Sequence, residues 1–426
     1  MTTIASVDAW EVLDSRGHPT VRVAVETAGG RGVFTVPAGA STGTHEAVER
    51  RDGGDRYGSL GVREAVRNVR EDLGPLVEGR DVADQQGIDG ALVEFDGTET
   101  LSNVGGNAVL GVSGAVAHAA ADTRDEPLFE SLAPDTPGRL PLPMVNIISG
   151  GLHAEGGVEI QDFLVVPTGA ETFPGALEAV WAVRRAVRDR VAADRLPLVA
   201  DEGGFALPFD SVEAAFDLLV AGIRDAGFEP APDEMAIAVD VAASHFHDPD
   251  TGEYVLETLD RRLAPDEMVE QVVEWVDTYP VVSVEDPLAE DDWAGWEQLA
   301  DRIADRVQLL GDDLLVTDAE RVRRAADAGA ASAVLVKPNQ AGTLTRATDV
   351  LETATERGLG TVVSARSGET CDVTIADLAV AYDAGQIKIG SLARSERLAK
   401  YNRLLELDHR YDPGLARPAA LPPFAD

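Results

Sequence analysis

Near the start of the chain, apolar and polar positions alternate. Val21, Val23 and Val25 take turns with Arg22, Ala24 and Glu26, and Gly29-Gly30 then turns the chain into residues 32–36. A period of two closed by a glycine turn predicts a β-hairpin. Helical periodicity follows over residues 60–76, again after Val82, and over 107–121. The breaker cluster Ala133-Pro134-Asp135-Thr136-Pro137-Gly138 predicts a linker. Strands and helices in separate blocks predict a small α+β capping domain over residues 1–135.

From Leu140 onward the pattern changes. Short runs of Val, Ile and Leu each end in a charged residue and lead through a loop into an amphipathic stretch. The runs 235–240, 281–285, 307–312, 333–337, 361–366 and 386–388 end on Asp240, Glu285, Asp312, Lys337, Arg366 and Lys388. Those ends are 45, 27, 25, 29 and 22 residues apart. Helical patterns over 266–278, 296–306, 318–328 and 344–357 lie between them. Strand–helix units repeated this often predict an α/β fold with a parallel sheet, closed as a TIM-type (β/α)8 barrel over residues 140–426. Sites in such barrels lie at the C-terminal strand ends, where these charges fall.

Composition narrows the partners. The 426 residues carry 75 Asp+Glu against 36 Lys+Arg, a formal net charge of -39. A surface this acidic repels nucleic acid and anionic membrane. With 44% hydrophobic residues the chain has the content of a folded protein. Excess carboxylate reads as adaptation to high salt, where screening quenches self-repulsion. Cys371 is the single cysteine, residues 1–10 lack the charge and apolar run of a signal peptide, and 108–121 is too short to span a bilayer. A soluble cytoplasmic protein is expected.

The basic residues divide unequally: 33 are Arg and three are Lys, at Lys337, Lys388 and Lys400. A lysine can surrender its proton and an arginine cannot, so in an arginine-rich chain Lys337 and Lys388 at strand ends point to chemistry. Lys400, in a helical stretch, reads as a structural or surface residue. Asp240, Glu285 and Asp312 on successive strands would repel one another without a cation, and an all-oxygen set suits Mg²⁺. The bland alternative is that each acid caps the next helix. A base lysine beside a metal-bound carboxylate substrate suggests removal of the proton alpha to that carboxylate.

Motifs along almost the whole chain resemble the enolase family. They include Ser15-Arg16-Gly17-His18-Pro19-Thr20, Gly39-Ala40-Ser41-Thr42-Gly43, Gly150-Gly151-Leu152-His153-Ala154 and Asp201-Glu202-Gly203-Gly204-Phe205. They continue with Gly311-Asp312-Asp313, residues 283–293 and 337–343, Ser367-Gly368-Glu369-Thr370, and 393–402. The resemblance implies dehydration of 2-phosphoglycerate to phosphoenolpyruvate, two Mg²⁺ per site, and a homodimer or octamer. It implies Asp240, Glu285 and Asp312 as ligands of the first Mg²⁺, and Ser41 on a Gly-rich loop as a ligand of the second. Lys337 would be the base and Glu202 the acid. Lys388 would face the substrate carboxylate, Arg366 and Ser367 the phosphate, and His153, Gln161 and Asp162 would line the pocket. Taken alone, 39–43 reads equally as a turn, Glu202 as a cap and His153 as a loop residue.

Four positions depart from the family pattern. Ala365 stands where the family has His, and Asp162 where it has Glu, about 1.5 Å further back. Ser149 stands where Asn usually precedes the glycines, and His245 where the family tends to carry Glu. Two further readings therefore stay open: a related lyase for another phosphorylated or phosphonate acid, and a non-catalytic protein that kept the scaffold.

Overall fold

The computed structural model describes residues 1–39, 45–133, 138–154, 157–192, 198–421 and 424. Ser41 and the centre of the breaker cluster at 133–138 lie outside the described residues. Strands β1 (Ile4–Leu13), β2 (Pro19–Thr27) and β3 (Arg31–Thr35) form an antiparallel meander. The hairpin read from residues 21–36 is its second half. Thr27 Oγ1 accepts the amides of Gly29 and Gly30 at 3.2 and 2.8 Å, which fixes the turn. Helix α1 (Gly106–Arg124) lies across the meander and is buried along most of its length. That approach needs two glycines. A Cβ on Gly32 would stand 1.9 Å from the Ala115 carbonyl oxygen, and one on Gly114 2.4 Å from the Phe34 ring.

The second part is a closed eight-stranded barrel. Its strands are β4 (Leu142–Ser149), β5 (Asp162–Val166), β6 (Ala236–Asp240), β7 (Val281–Glu285), β8 (Gln308–Gly311), β9 (Ala333–Val336), β10 (Gly360–Ser364) and β11 (Gln386–Lys388). They pair in sequence order, and β11 returns to β4. The sheet is not parallel throughout, as the strand–helix repeat predicts: β5 runs antiparallel to both β4 and β6. The reason is local. Among the described residues of 150–161 the only regular element is the single turn Gly151–His153, so the chain folds straight back instead of crossing over through a helix.

Strand periodicity places the site. Along β6, Ala236 and Ala238 pack with Leu142, Leu164 and Leu335 inside the barrel. Ile237 and Val239 pack outward against the helix layer. Asp240 follows the inward set by the same period of two. Asp240, Glu285 and Lys388 are the last residues of their strands, and Asp312, Lys337 and Arg366 stand one or two residues beyond theirs. All six charged ends gather at one mouth. Among the described residues no helix is long and apolar enough to cross a membrane.

Candidate active site

One wall of the mouth is a set of paired charges. The Lys388 ammonium donates to Asp240 Oδ2 and to both oxygens of Glu285, each at 2.7 Å. Adjacent strands bring this about, since β6 and β7 are in register at Asp240 and Glu285. The Lys337 ammonium donates to Asp312 Oδ2. Gln161 Nε2 donates to Asp240 Oδ2 at 3.1 Å. Burial lifts Glu285 well above the usual carboxylate range, and the charges of Asp240 and Asp312 lift it further. Burial works against the charge on Lys388, yet Asp240 and Glu285 overcome it and hold its pKa well above the usual value. Burial likewise opposes Lys337, and Asp312 outweighs it.

A second wall joins residues of both domains. Arg366 Nη1 donates to Asn339 Oδ1 at 2.8 Å and to Glu46 Oε2 at 3.3 Å. Gln340 Nε2 donates to Glu46 Oε1 at 3.1 Å and to Asp312 Oδ1 at 3.0 Å. Glu46 belongs to the capping domain, is 4% exposed, and had no signature in the sequence. Behind Arg366, Glu369 Oε1 accepts its backbone N–H at 3.1 Å, and Lys400 Nζ pairs with Glu369 Oε2 at 2.8 Å. Lys400 therefore takes the structural of its two readings: it is 1% exposed and also donates to the Thr370 and Glu396 carbonyls. The Ser367 carbonyl accepts from Arg397 Nη2 at 2.8 Å, and Ser367 itself lines the pocket.

The third wall faces the lysines. His153 Nδ1 donates to Asp162 Oδ2 at 2.9 Å, and His153 Nε2 stands 3.9 Å from Glu202 Oε1. Asp162 Oδ1 accepts from Ser149 Oγ at 2.9 Å and from Asn146 Nδ2. Burial disfavours charge on His153, but Asp162 and Glu202 raise its pKa to about 9. Burial also raises Asp162, with the imidazolium pulling it back. The histidine's direction governs the pair, because Asp162, Glu202 and Asp240 all favour its charge. Burial would raise Glu202 too, yet His153 and Arg397 bring it below the usual range.

These walls enclose a pocket lined by His153, Gln161, Glu202, Asp240, Asp312, Lys337, Arg366, Ser367 and Lys388. Ala365 and His245, two of the departures, line it as well, while Asp162 does not. Of the residues named from the sequence, Glu285 and Asp162 thus stand behind the lining and Ser41 is outside the described residues. Asp286 escaped that reading although it lies in a quoted motif; its carboxylate accepts the amides of Asp312 and Asp313 at 3.0 and 2.7 Å and fixes the β8 end.

Among the described residues, ligand atoms lie within 4.8 Å of one another in His153–Asp162–Glu202 and in Asp286–Asp312–Asp313. Asp162 and Asp286 are already committed to the hydrogen bonds above, which makes both groups poor cages. Asp240, Glu285 and Asp312 do not form such a group; each is turned onto an ammonium. Their chemistry still suits a hard divalent cation: three all-oxygen donors that two ammonium charges now bridge.

Comparison with known proteins agrees along both domains. Residues 4–132 match the model of the enolase N-terminal domain, and residues 138–413 that of the enolase C-terminal TIM barrel domain. The chain is 48% identical to an enolase of Acidothermus cellulolyticus, covering 100% of this chain and 99% of that one. It is 47% identical to an enolase of Methanopyrus kandleri over 96% of each chain. An enolase of Thermococcus kodakarensis is 46% identical over 96% of this chain and 95% of its own. The chain belongs to the enolase family.

Proposed function

We propose that the chain catalyses the reversible dehydration of 2-phosphoglycerate to phosphoenolpyruvate, a step of glycolysis and gluconeogenesis. One observation carries this reading: a buried lysine beside a strand-end carboxylate faces a histidine–glutamate pair across one pocket. Lys337 takes the proton from C2 once its ammonium has left Asp312 and given up its own proton to solvent. Burial and the charges of Arg366 and Lys388 work against its charge, so it loses that proton readily when Asp312 no longer pairs with it. Lys388 balances the substrate carboxylate, Arg366 and Ser367 hold the phosphate, and Gln161 fixes Asp240. Glu202 and His153 hold one proton between them and pass it to the 3-hydroxyl, which leaves as water.

Asp240, Glu285 and Asp312 would hold one Mg²⁺ and Ser41 would help hold a second. When bound, Mg²⁺ supplies charge stabilisation for the enediolate that forms as the C2 proton departs. The substrate is an anion approaching a protein of net charge -39. The cationic pocket attracts it locally, and molar salt screens the outer repulsion. We assign the protein to the cytoplasm of a cell with high internal salt, working as a homodimer or octamer. A second reading, a related lyase for another phosphorylated or phosphonate acid, is favoured by the small Ala365 side chain in the lining.

Absorbance of phosphoenolpyruvate tests the proposal, with 2-phosphoglycerate, Mg²⁺ and molar salt. Turnover that disappears in Lys337→Ala supports it. No turnover at any salt concentration overturns it.

A further inference from the structure

Two of the four departures touch each other. Ser149 Oγ donates to Asp162 Oδ1 at 2.9 Å, Asn146 Nδ2 donates to the same oxygen, and Asp162 Oδ2 takes the His153 Nδ1 proton at 2.9 Å. Asp162 is 0% exposed and Ser149 1% exposed. Both carboxylate oxygens are engaged, and Asp162 does not reach the pocket that His153 and Glu202 line. A carboxylate this enclosed and this fully bonded is not placed to touch substrate. It is placed to fix an imidazole, because a ring held at Nδ1 keeps one orientation of Nε2.

The other end of the ring defines what it is fixed for. His153 Nε2 and Glu202 Oε1 are 3.9 Å apart. Two polar atoms at that separation leave a position about 2.8 Å from both, so a single oxygen can hydrogen-bond to each at once. We propose that Asp162, clamped by Ser149 and Asn146, is a positioning residue that aims His153 Nε2 so that it and Glu202 grip one substrate oxygen, the hydroxyl that leaves. The proposal rests on the dehydration reading for the identity of that oxygen. The shorter aspartate and the serine form one coupled unit: the carboxylate steps back, and the hydroxyl closes on its inner oxygen.

The test compares the intact chain with Asp162→Asn and Ser149→Ala in molar salt with 2-phosphoglycerate and Mg²⁺. It also records the ¹⁵N signals of the His153 ring without substrate. Asp162→Asn is expected to lower kcat about 100-fold and Ser149→Ala about 10-fold, with KM within about 3-fold, the scale on which partners behind a site residue act. In Asp162→Asn the ring signals move from the doubly protonated to the neutral pattern at neutral pH. Unchanged kcat in both variants overturns the proposal, as does a loss of kcat with unmoved ring signals. If Asp162→Asn does not fold, Ser149→Ala decides by kcat alone, and an unchanged value overturns the proposal. No turnover by the unsubstituted chain removes the dehydration reading and the clamp's occupant with it. The ring signals would still decide whether Asp162 orients His153.

Discussion

The lysine wall and the histidine wall of the pocket face each other but differ in how they relate to the family. The lysine wall keeps every expected residue: Asp240, Glu285, Asp312, Lys337 and Lys388 sit at the ends of β6, β7, β8, β9 and β11, with Lys388 bridging Asp240 and Glu285 and Lys337 paired with Asp312. Around the histidine wall stand the four positions read from the sequence as departures from the family pattern: Asp162 and Ser149 behind it, and Ala365 and His245 at the pocket lining. Charges on rigid strand ends form an interdependent cluster, so a single replacement leaves a buried charge without its partner. On the histidine wall His153 and Glu202 come from turns, while Ser149 ends β4 and Asp162 opens β5, where the two touch and one can shift if the other shifts with it.

Substitutions can break that contrast, beginning with the largest effect. Lys337→Ala is expected to lower kcat by about 10⁴-fold, the upper range for loss of a proton-transferring group. Glu202→Gln, in the altered half, should cost about 10²-fold because His153 remains to hold the leaving oxygen; steady-state kinetics checks both. Lys400→Met leaves the buried Glu369 carboxylate without its cation and should cost about 3–5 kcal/mol of stability, read from denaturant melts. Ala365→His places a larger side chain in the lining and is expected to change kcat/KM by no more than about 10-fold, read from steady-state kinetics.

The pH dependence separates the two walls as well. The folded state raises the His153 pKa to about 9, above the ordinary value of about 6.5. The stability this gives is fully present below the lower value and is lost as pH climbs through the upper one. Melts between those limits should show that decline in the intact chain and lose most of it in Asp162→Asn. A smaller effect concerns the surface. Moving from molar to dilute salt should lower the melting temperature, because 39 net negative charges are no longer screened.

Much of the barrel was legible because a period of two with a charged end is a local pattern. The runs 281–285 and 386–388 match β7 and β11 residue for residue. The reversal of β5 was hidden, since it depends on the described residues of 150–161 holding no more than the turn Gly151–His153, and the apolar run at 163–166 looks the same in either direction. Within the site, strand-end residues were readable and loop partners were not. Glu46 reaches Arg366 from 320 residues away, and no spacing rule connects them. Asp162 was read as a pocket residue because strand register could not show that Asn146, Ser149 and His153 would enclose it. Lys400 was ambiguous between surface and interior until its ammonium was seen among Glu369, Thr370 and Glu396.

The central claim is that the family's reaction runs on the base Lys337 of the lysine wall, with the opposite side rebuilt around His153. The most direct measurement is phosphoenolpyruvate formation from 2-phosphoglycerate with Mg²⁺ in molar salt, for the unsubstituted chain beside Lys337→Ala. The account predicts turnover in the first and loss of about 10⁴-fold in the second. No turnover in the unsubstituted chain, or equal turnover in both, would contradict it.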